Sequence, residues 1–367
     1  SEVRRFLGSM KMDYDLPFFE GLTASVNLAY DGSNSHGRSI TSALLPTADT
    51  TFDGSFYSYA NANTSKLFEG YLTYDRELKE GHNMNLVLGH SYQTILFNGS
   101  DYDSEEEEDG QANFRTADAS REVLLSYFGR LNYNFNNKFL FTASLRADAS
   151  SKLNPEDQWG YFPAAALAYN VINFGDGDGI MDELKLRLGY GEVGNVASLS
   201  ERYAYLTRYT GSNSAAYYQF GNEFYQTYRP QPVNEELNWE ISRTTNLGLD
   251  FSMLDRRISG SLNVYQKETI DLIANGSVDP FTNFSNRLPL NIGNIENNGV
   301  ELNLNLGVVR TDDTSLNLNL NGSYNKNEVT TLPFIQEVGG ISGGVGNTIQ
   351  LHTEGEAPFS YYVYQQV

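Results

Sequence analysis

Apolar and polar residues alternate along most of this chain with a period of two. The clearest case is ELNLNLGVVRTDDTSLNLNLNGSYN, Glu301 to Asn325, where leucine and asparagine take turns on either side of a tight polar turn. Such a period sends successive side chains to opposite faces of a strand, so each arm has one apolar and one polar face. Two arms joined by a short turn predict a hairpin. The same alternation recurs at 3–16, 22–31, 66–78, 83–98, 121–135, 138–150, 160–171, 184–195, 238–254 and 257–270, and helical spacing is nearly absent. About twelve strands are predicted, many longer than the roughly 5–6 residues usual in soluble sheets. They match the roughly 9–11 residues needed to cross a bilayer at a tilt.

The connections alternate too. Short ones fall at 17–21, 79–82, 136–137, 172–183, 255–256 and 311–314; long ones fall at 32–65, 99–120, 151–159, 196–237, 271–290 and 328–360. A soluble sheet has no reason to gather its long loops at one end, whereas an outer-membrane barrel has short turns on one side and long loops on the other. The expected fold is therefore all-β: a transmembrane antiparallel β-barrel. In 138–150 the apolar set is Phe139, Phe141, Ala143, Leu145 and Ala147, and the opposite set is Thr142, Ser144, Arg146 and Asp148. Arg146 and Asp148 are costly against lipid and natural in a wet lumen. TDDT (311–314) belongs to the short-turn set, which puts it at the periplasmic rim. From there Leu302, Leu304, Leu306, Leu316, Leu318 and Leu320 are expected to face lipid, and Asn303, Asn305, Asn317, Asn319 and Asn321 the lumen. Phe18, Phe19, Tyr133, Phe135, Phe139 and Phe141 crowd the short-turn ends, as in a membrane-interface girdle. Cross-strand aromatic pairs in a soluble sheet leave the same trace.

Composition narrows the picture only in places. The chain has 367 residues, 40% hydrophobic, with 25 Tyr and 21 Phe, which argues against disorder. A formal charge of −21 disfavours nucleic acid as a partner. The absence of cysteine removes disulfide scaffolds and thiol chemistry without deciding the compartment. No apolar run is long enough for a transmembrane helix. The mean hydropathy is negative, but a barrel strand carries only half the apolar signal. The opening SEVRRFLGSM is neither a signal peptide nor a natural start, so a processed chain or a piece of a longer one is expected.

Candidate chemistry is sparse, and no catalytic residue, metal site or cofactor is predicted. His36, His82, His90 and His352 are isolated, without metal-ligand spacing. GDGDGIMDEL (175–184) offers Asp176, Asp178 and Asp182, but alignment with a calcium loop puts Phe174 at the first ligand position and Lys185 at the last, so a Gly/Asp turn is the better reading. The acidic run 104–109 reads as a solvated loop tip, with divalent-cation bridging to anionic surface lipid or a partner as its functional alternative. Loop 209–230 gathers Tyr209, Tyr217, Tyr218, Phe220, Phe224, Tyr225 and Tyr228 among Asn, Gln, Ser and Gly. Aromatic faces beside amides suit sugar rings or peptides. Tyr217, Tyr218, Phe220 and Tyr225 are the candidate substrate-binding residues, against the alternative that these rings pack the loop against itself.

Five segments together resemble one family. NIGNIENNGVELNL (291–304), LKLRLGYGEVGN (184–195), LNWEISRTTNLGLDFSMLDRRISGSLNVYQKETIDLI (237–273), FGRLNYNFNNKFLFTASLRADASSKLNPEDQWGYFPAAALAYNV (128–171) and TEGEAPFSYYVYQ (353–365) are similar, in order, to motifs of SusC/RagA-like TonB-dependent outer-membrane transporters of the Bacteroidetes. FPAAA departs from the family's usual FPS, and APFSYYVY lacks its usual glycines. The resemblance implies a plugged barrel of 22 strands, of which residues 1–367 form the central part. Signal peptide, TonB-contacting segment, plug and C-terminal strands are expected to lie outside this chain. It also implies import of oligosaccharide, glycan or peptide with no enzymatic step. The implied partners are a SusD-like lipoprotein lid, the TonB–ExbB–ExbD complex acting through the plug, and surrounding lipid and lipopolysaccharide. A siderophore or metal-chelate importer and a surface β-rich carbohydrate-binding module stay open as alternatives.

Overall fold

A computed structural model describes residues 1–42, 54–103, 114–172, 180–199, 202–212, 216–231, 233–279, 287–340 and 348–363. The acidic run 104–109 and the Gly/Asp segment up to residue 179 lie outside the described residues. In chain order the strands are β1 (Glu2–Asp15), β2 (Leu22–Ser42), β3 (Gly54–Lys79), β4 (His82–Asp103), β5 (Phe114–Phe135), β6 (Phe139–Ser150), β7 (Trp159–Ile172) and β8 (Met181–Asn195). Four short ones follow: β9 (Tyr209–Gly211), β10 (Tyr218–Phe220), β11 (Glu223–Tyr225) and β12 (Tyr228–Pro230). Then come β13 (Glu240–Met253), β14 (Ile258–Ile270), β15 (Ile273–Ser277), β16 (Arg287–Asn291), β17 (Asn294–Arg310), β18 (Ser315–Thr331), β19 (Gln336–Gly340), β20 (Thr348–His352) and β21 (Ser360–Tyr361). The twelve long strands form one sheet in the order β1-β2-β3-β4-β5-β6-β7-β8-β13-β14-β17-β18, so the all-β expectation and its strand number hold.

The expected connections are corrected at five segments. Segments 32–65 and 99–120 are not simply loops: β2, β3, β4 and β5 run to 21, 26, 22 and 22 residues and take in much of both. Beyond a bilayer both faces of a strand meet water, so the period-two signal fades there while the backbone ladder continues. Segment 151–159 is a short run of turns, and 271–290 and 328–360 carry the extra strands β15, β16 and β19 to β21.

The chain divides into two compact units. The first comprises Ser1–Thr73, Leu88–Tyr127 and Asp148–Ser151. Its registers pair like with like: Met10 faces Leu28 and Met12 faces Val26, while on the alternate positions Asp13 faces Ser25. The polar positions are linked by Ser25 Oγ donating to Asp13 at 2.5 Å, Arg5 to Asp31 at 2.6 and 2.8 Å, and Asn27 to Glu69 at 2.8 Å. Burial is inverted relative to a soluble sheet. Ser25, Ser91 and Ser126 are buried, while Phe6, Met10 and Met12 are exposed.

The second unit comprises Tyr74–Val87, Phe128–Ala147 and Lys152–Val367. Here apolar rows cross the strands in register: Leu167, Leu188, Leu247, Val264, Val300 and Tyr324 in one, Tyr169, Leu186, Leu249, Leu262 and Leu302 in the next. Between them, on the other face, run Ala168, Arg187, Gly248, Asn263, Glu301 and Ser323, and beyond the second row run Asn170, Lys185, Asp250, Ser261, Asn303 and Asn321. The hairpin that opens the sequence therefore continues a two-faced pattern set by its neighbours. It carries one feature the alternation hides: a register shift between Gly307 and Val309, so that Val309, not Val308, pairs with Leu316.

The short turns are locally encoded. Asn136 and Asn137 have φ of 51° and 53°, the left-handed pair of a two-residue hairpin turn. Gly81 (φ 76°) lies so close that an added Cβ would fall 1.7 Å from Asn136 Oδ1. In TDDT, Thr311 and Thr314 exchange backbone and side-chain hydrogen bonds at 2.9–3.2 Å. Asp182 accepts the Arg256 N–H at 2.8 Å, across a turn whose Leu254, Asp255 and Arg256 all have positive φ. Asp182, at the start of β8, thus helps close the neighbouring turn between β13 and β14.

Candidate ligand-binding site

The most deeply buried apolar side chains do not lie on the long strands' broad faces. Leu153, Leu199 and Leu237 are each 1% exposed, and Phe162, Ala204, Trp239 and Leu288 are buried with them in the second unit. Trp239 stands edge-on to Phe162 with centroids 5.4 Å apart and donates its indole N–H to Gln158 O at 3.0 Å. An added Cβ at Gly160 or Gly194 would lie 2.4 or 2.0 Å from the Phe162 ring. Lys152 Nζ donates to Leu199 O at 3.1 Å, and Asn234 Nδ2 to Pro289 O at 2.8 Å. The Glu240 carboxylate, 9% exposed, accepts from Asn195 Nδ2 at 3.1 Å and Ser198 Oγ at 3.3 Å. These contacts tie segments 152–158, 196–199, 202–206, 233–239 and 287–291 into a small core.

The aromatic loop stands on this base. Tyr218–Phe220 and Glu223–Tyr225 pair as a hairpin, Tyr218 opposite Tyr225, around Gly221 at φ 66°. A second ladder sets Tyr228 opposite Gly211. Gln226 Nε2 donates to Ser212 O at 3.0 Å and Gln231 Nε2 to Thr210 Oγ1 at 2.8 Å. Part of the amide set thus holds the loop together. The rings do not close onto one another: Tyr218 is 61% exposed, Phe220 70%, and Tyr217 and Tyr225 are also exposed. Tyr225 donates its hydroxyl to Glu223 at 2.5 Å, which holds the phenol above its ordinary pKa of 10.0. Burial does the same for Tyr205.

The predicted lumen positions fall on the polar side of the sheet. Asn303 donates to Ser261 Oγ at 3.3 Å and faces Asn321; Asn305 faces Asn319, and Asn317 faces Gly307. Arg146 lies over the Phe128 ring, 5.6 Å from its centroid, and Asp148 is buried. Beside them the structure adds residues the sequence reading did not single out. Arg187 makes a two-pronged pair with Asp250 at 2.7 Å for each hydrogen bond and reaches Asn263 at 2.9 Å. A Cβ at Gly248 would fall 2.7 Å from that guanidinium. Asp75, Asn85, Asn132 and Thr142 form a polar ladder across four strands at 2.9–3.2 Å. Among the described residues no cluster of three His, Asp or Glu could hold a metal. His82 contacts the Tyr133 hydroxyl, His90 the Ser126 carbonyl and His352 the Phe359 ring.

Comparison with known proteins gives this arrangement relatives. Residues 2–350 match the family described as TonB dependent receptor-like, beta-barrel. The TonB-dependent receptor SusC of Bacteroides thetaiotaomicron is 33% identical over 99% of this chain and 37% of its own length. The TonB-dependent receptor P3 of Formosa agariphila is 28% identical over 95% of this chain and 36% of its own length. The chain thus spans little more than a third of these relatives. A solved structure of the RagAB peptide transporter superposes with a TM-score of 0.77 at 21% identity, covering 97% of this chain and 40% of that one. A ferric enterobactin receptor of Pseudomonas aeruginosa gives 0.54 at 15% identity, covering 90% and 44%. Both structures speak for the fold.

Proposed function

The chain belongs to the TonB-dependent receptor β-barrel family, and from that premise we propose that it supplies barrel wall and extracellular loops to an outer-membrane importer of oligosaccharide or peptide. The observation that carries this reading is the division of labour in the 196–239 loop. Its fold is held by Leu199, Leu237 and Trp239, which leaves Tyr217, Tyr218, Phe220 and Tyr225 exposed. Exposed rings in a contiguous patch favour an interaction surface over internal packing. A tyrosine face with its hydroxyl suits a pyranose ring or a peptide side chain.

The polar side of the sheet, with Asn303, Asn305, Asn317, Asn319, Arg146, Asp148 and the Arg187–Asp250 pair, supplies the lumen wall, because an ion pair facing hydrocarbon is costly at mid-bilayer. A SusD-like lipoprotein closing over the loops, and TonB acting on a plug outside this chain, complete the proposed cycle. No covalent chemistry is asked of the barrel. A siderophore importer is less favoured: an anionic chelate would meet a chain of formal charge −21 and the Glu223 carboxylate in the hairpin. The test is the double substitution Tyr217→Ala with Tyr218→Ala in the full-length transporter. Capture of its oligosaccharide or peptide is expected to weaken at least tenfold with the fold unchanged. Unaltered affinity returns these rings to a packing role.

A further inference from the structure

The polar side of the second unit carries a hollow near the short turns, far along the strands from the aromatic loop. Its volume is about 350 Å³, at the small end of the roughly 300–1,000 Å³ of ligand pockets. Three short side chains form its middle, Ser252 on β13 and Ser259 and Ser261 on β14. Glu183, Asp250, Asn303 and Asn305 stand around them. Ser252 is the last residue but one of β13 and Ser259 the second of β14, so the hollow lies beside the turn that joins them. A register shift against β8 between Ser252 and Met253 bends β13 at this point.

One group in the hollow is left over. Ser252 is 5% exposed, and its Oγ has no hydrogen-bond partner. A buried hydroxyl without a partner is a cost to the fold, recovered when a ligand group meets it. The surrounding chemistry narrows that ligand. The Glu183 and Asp250 carboxylates are matched by two guanidinium groups: Arg256, which lines the hollow, and Arg187, which holds Asp250 at 2.7 Å. Balanced charge favours a neutral ligand over an ion. Asp250 keeps lone pairs beyond the two that Arg187 occupies, and the serines and asparagines both donate and accept. A ring bearing several hydroxyls needs this mixture. An extended peptide is instead bound through its main chain on a free strand edge, and β8, β13, β14 and β17 are each paired on both sides.

We infer that this hollow is an exit-side subsite for neutral oligosaccharide, where Ser252 Oγ and the Asp250 carboxylate meet sugar hydroxyls as cargo leaves the lumen. The inference rests on the proposed import and orientation, and it selects sugar from the two cargo classes.

The full-length transporter in whole cells, energised through TonB, tests this with two tritiated probes. One is a pool of neutral oligosaccharides from partly hydrolysed starch, xylan and mannan; the other is a pool of tryptic peptides. Ser252→Ala removes the hydroxyl without stranding a partner, so a purely structural serine predicts an unchanged or higher Tm and unchanged uptake. The subsite predicts that Tm and KM hold while the maximal rate of oligosaccharide uptake falls about fivefold. Peptide uptake should be the same in wild type and variant. Unchanged oligosaccharide uptake by the variant overturns the inference, as does equal slowing of both pools or slowing with a lowered Tm. Surface capture under a protonophore separates this inference from the reading beneath it. Capture of oligosaccharide by wild type and variant alike upholds the importer whatever the uptake result. Capture of peptides alone keeps the importer and overturns the subsite, and capture of neither pool by the wild type removes both.

Discussion

Replacing Trp239 with alanine should release the aromatic loop while leaving the barrel intact. The indole is 6% exposed, packs edge-on against Phe162 and spends its only N–H on Gln158 O. Truncating a buried tryptophan costs about 3–5 kcal/mol, because the transfer free energy is lost and a cavity is left. The indole N–H goes with the ring, so no buried donor is stranded, but the Gln158 carbonyl loses its partner, adding about 1 kcal/mol. The cost falls on local opening, since Trp239 ties the loop segments to the start of β7 through Phe162. Together that is about 4–6 kcal/mol, so at about 1.4 kcal/mol per tenfold, amide exchange in 196–206 and 233–239 should accelerate roughly 700- to 20,000-fold. Exchange in β14 and β17 should change less than threefold. Trp239→Phe should recover most of the protection, keeping the packing and losing only the hydrogen bond. If the loop accelerates less than tenfold in Trp239→Ala, or β14 and β17 open with it, the separate loop core is wrong.

Three further outcomes follow from the same geometry. Arg187→Met removes the bidentate partner of Asp250, and because both side chains are about one-third exposed the loss should be only about 1–2 kcal/mol, read as a lower urea midpoint; a loss above 4 kcal/mol would mean a dry site. Glu240→Ala strips the acceptor shared by Asn195 and Ser198, and proteolysis within 196–239 should rise several-fold without loss of the folded barrel. The Tyr225–Glu223 contact raises the phenol's pKa, so its stabilisation is present below about pH 10 and is lost as pH rises through the higher folded value. Ligand capture should accordingly be flat from pH 6 to 9 and decline only above 10, and a decline between 7 and 9 would show that another group controls the loop.

What the sequence made legible follows from where a membrane imposes a pattern. LNLNLG and SLNLNLN could be read because one side of each strand must be apolar over the whole bilayer depth, and β17 and β18 form there. SNSHGRSITS (33–42) is strand as well, yet nothing in it alternates, because no apolar phase flanks it. The loop base was illegible for another reason. Leu153, Leu199, Leu237 and Trp239 are single apolar residues scattered over more than eighty positions, and no periodicity announces that they meet. The tryptophan and glutamate of NWE were visible only as part of a family motif, not as a packing centre. The aromatic hairpin was visible by composition, but whether its rings pack or project depended on that hidden base.

The central claim is that the leucine and asparagine faces of β17 and β18 meet lipid and lumen respectively. Single cysteines at Asn303, Asn319, Leu304 and Leu318 in the reconstituted full-length transporter test it most directly. A water-soluble, membrane-impermeant maleimide should modify the first two and spare the last two, which should react only with a bilayer-partitioned reagent. Modification of Leu304→Cys and Leu318→Cys by the soluble reagent, with Asn303→Cys and Asn319→Cys protected, would turn the wall inside out and contradict the account.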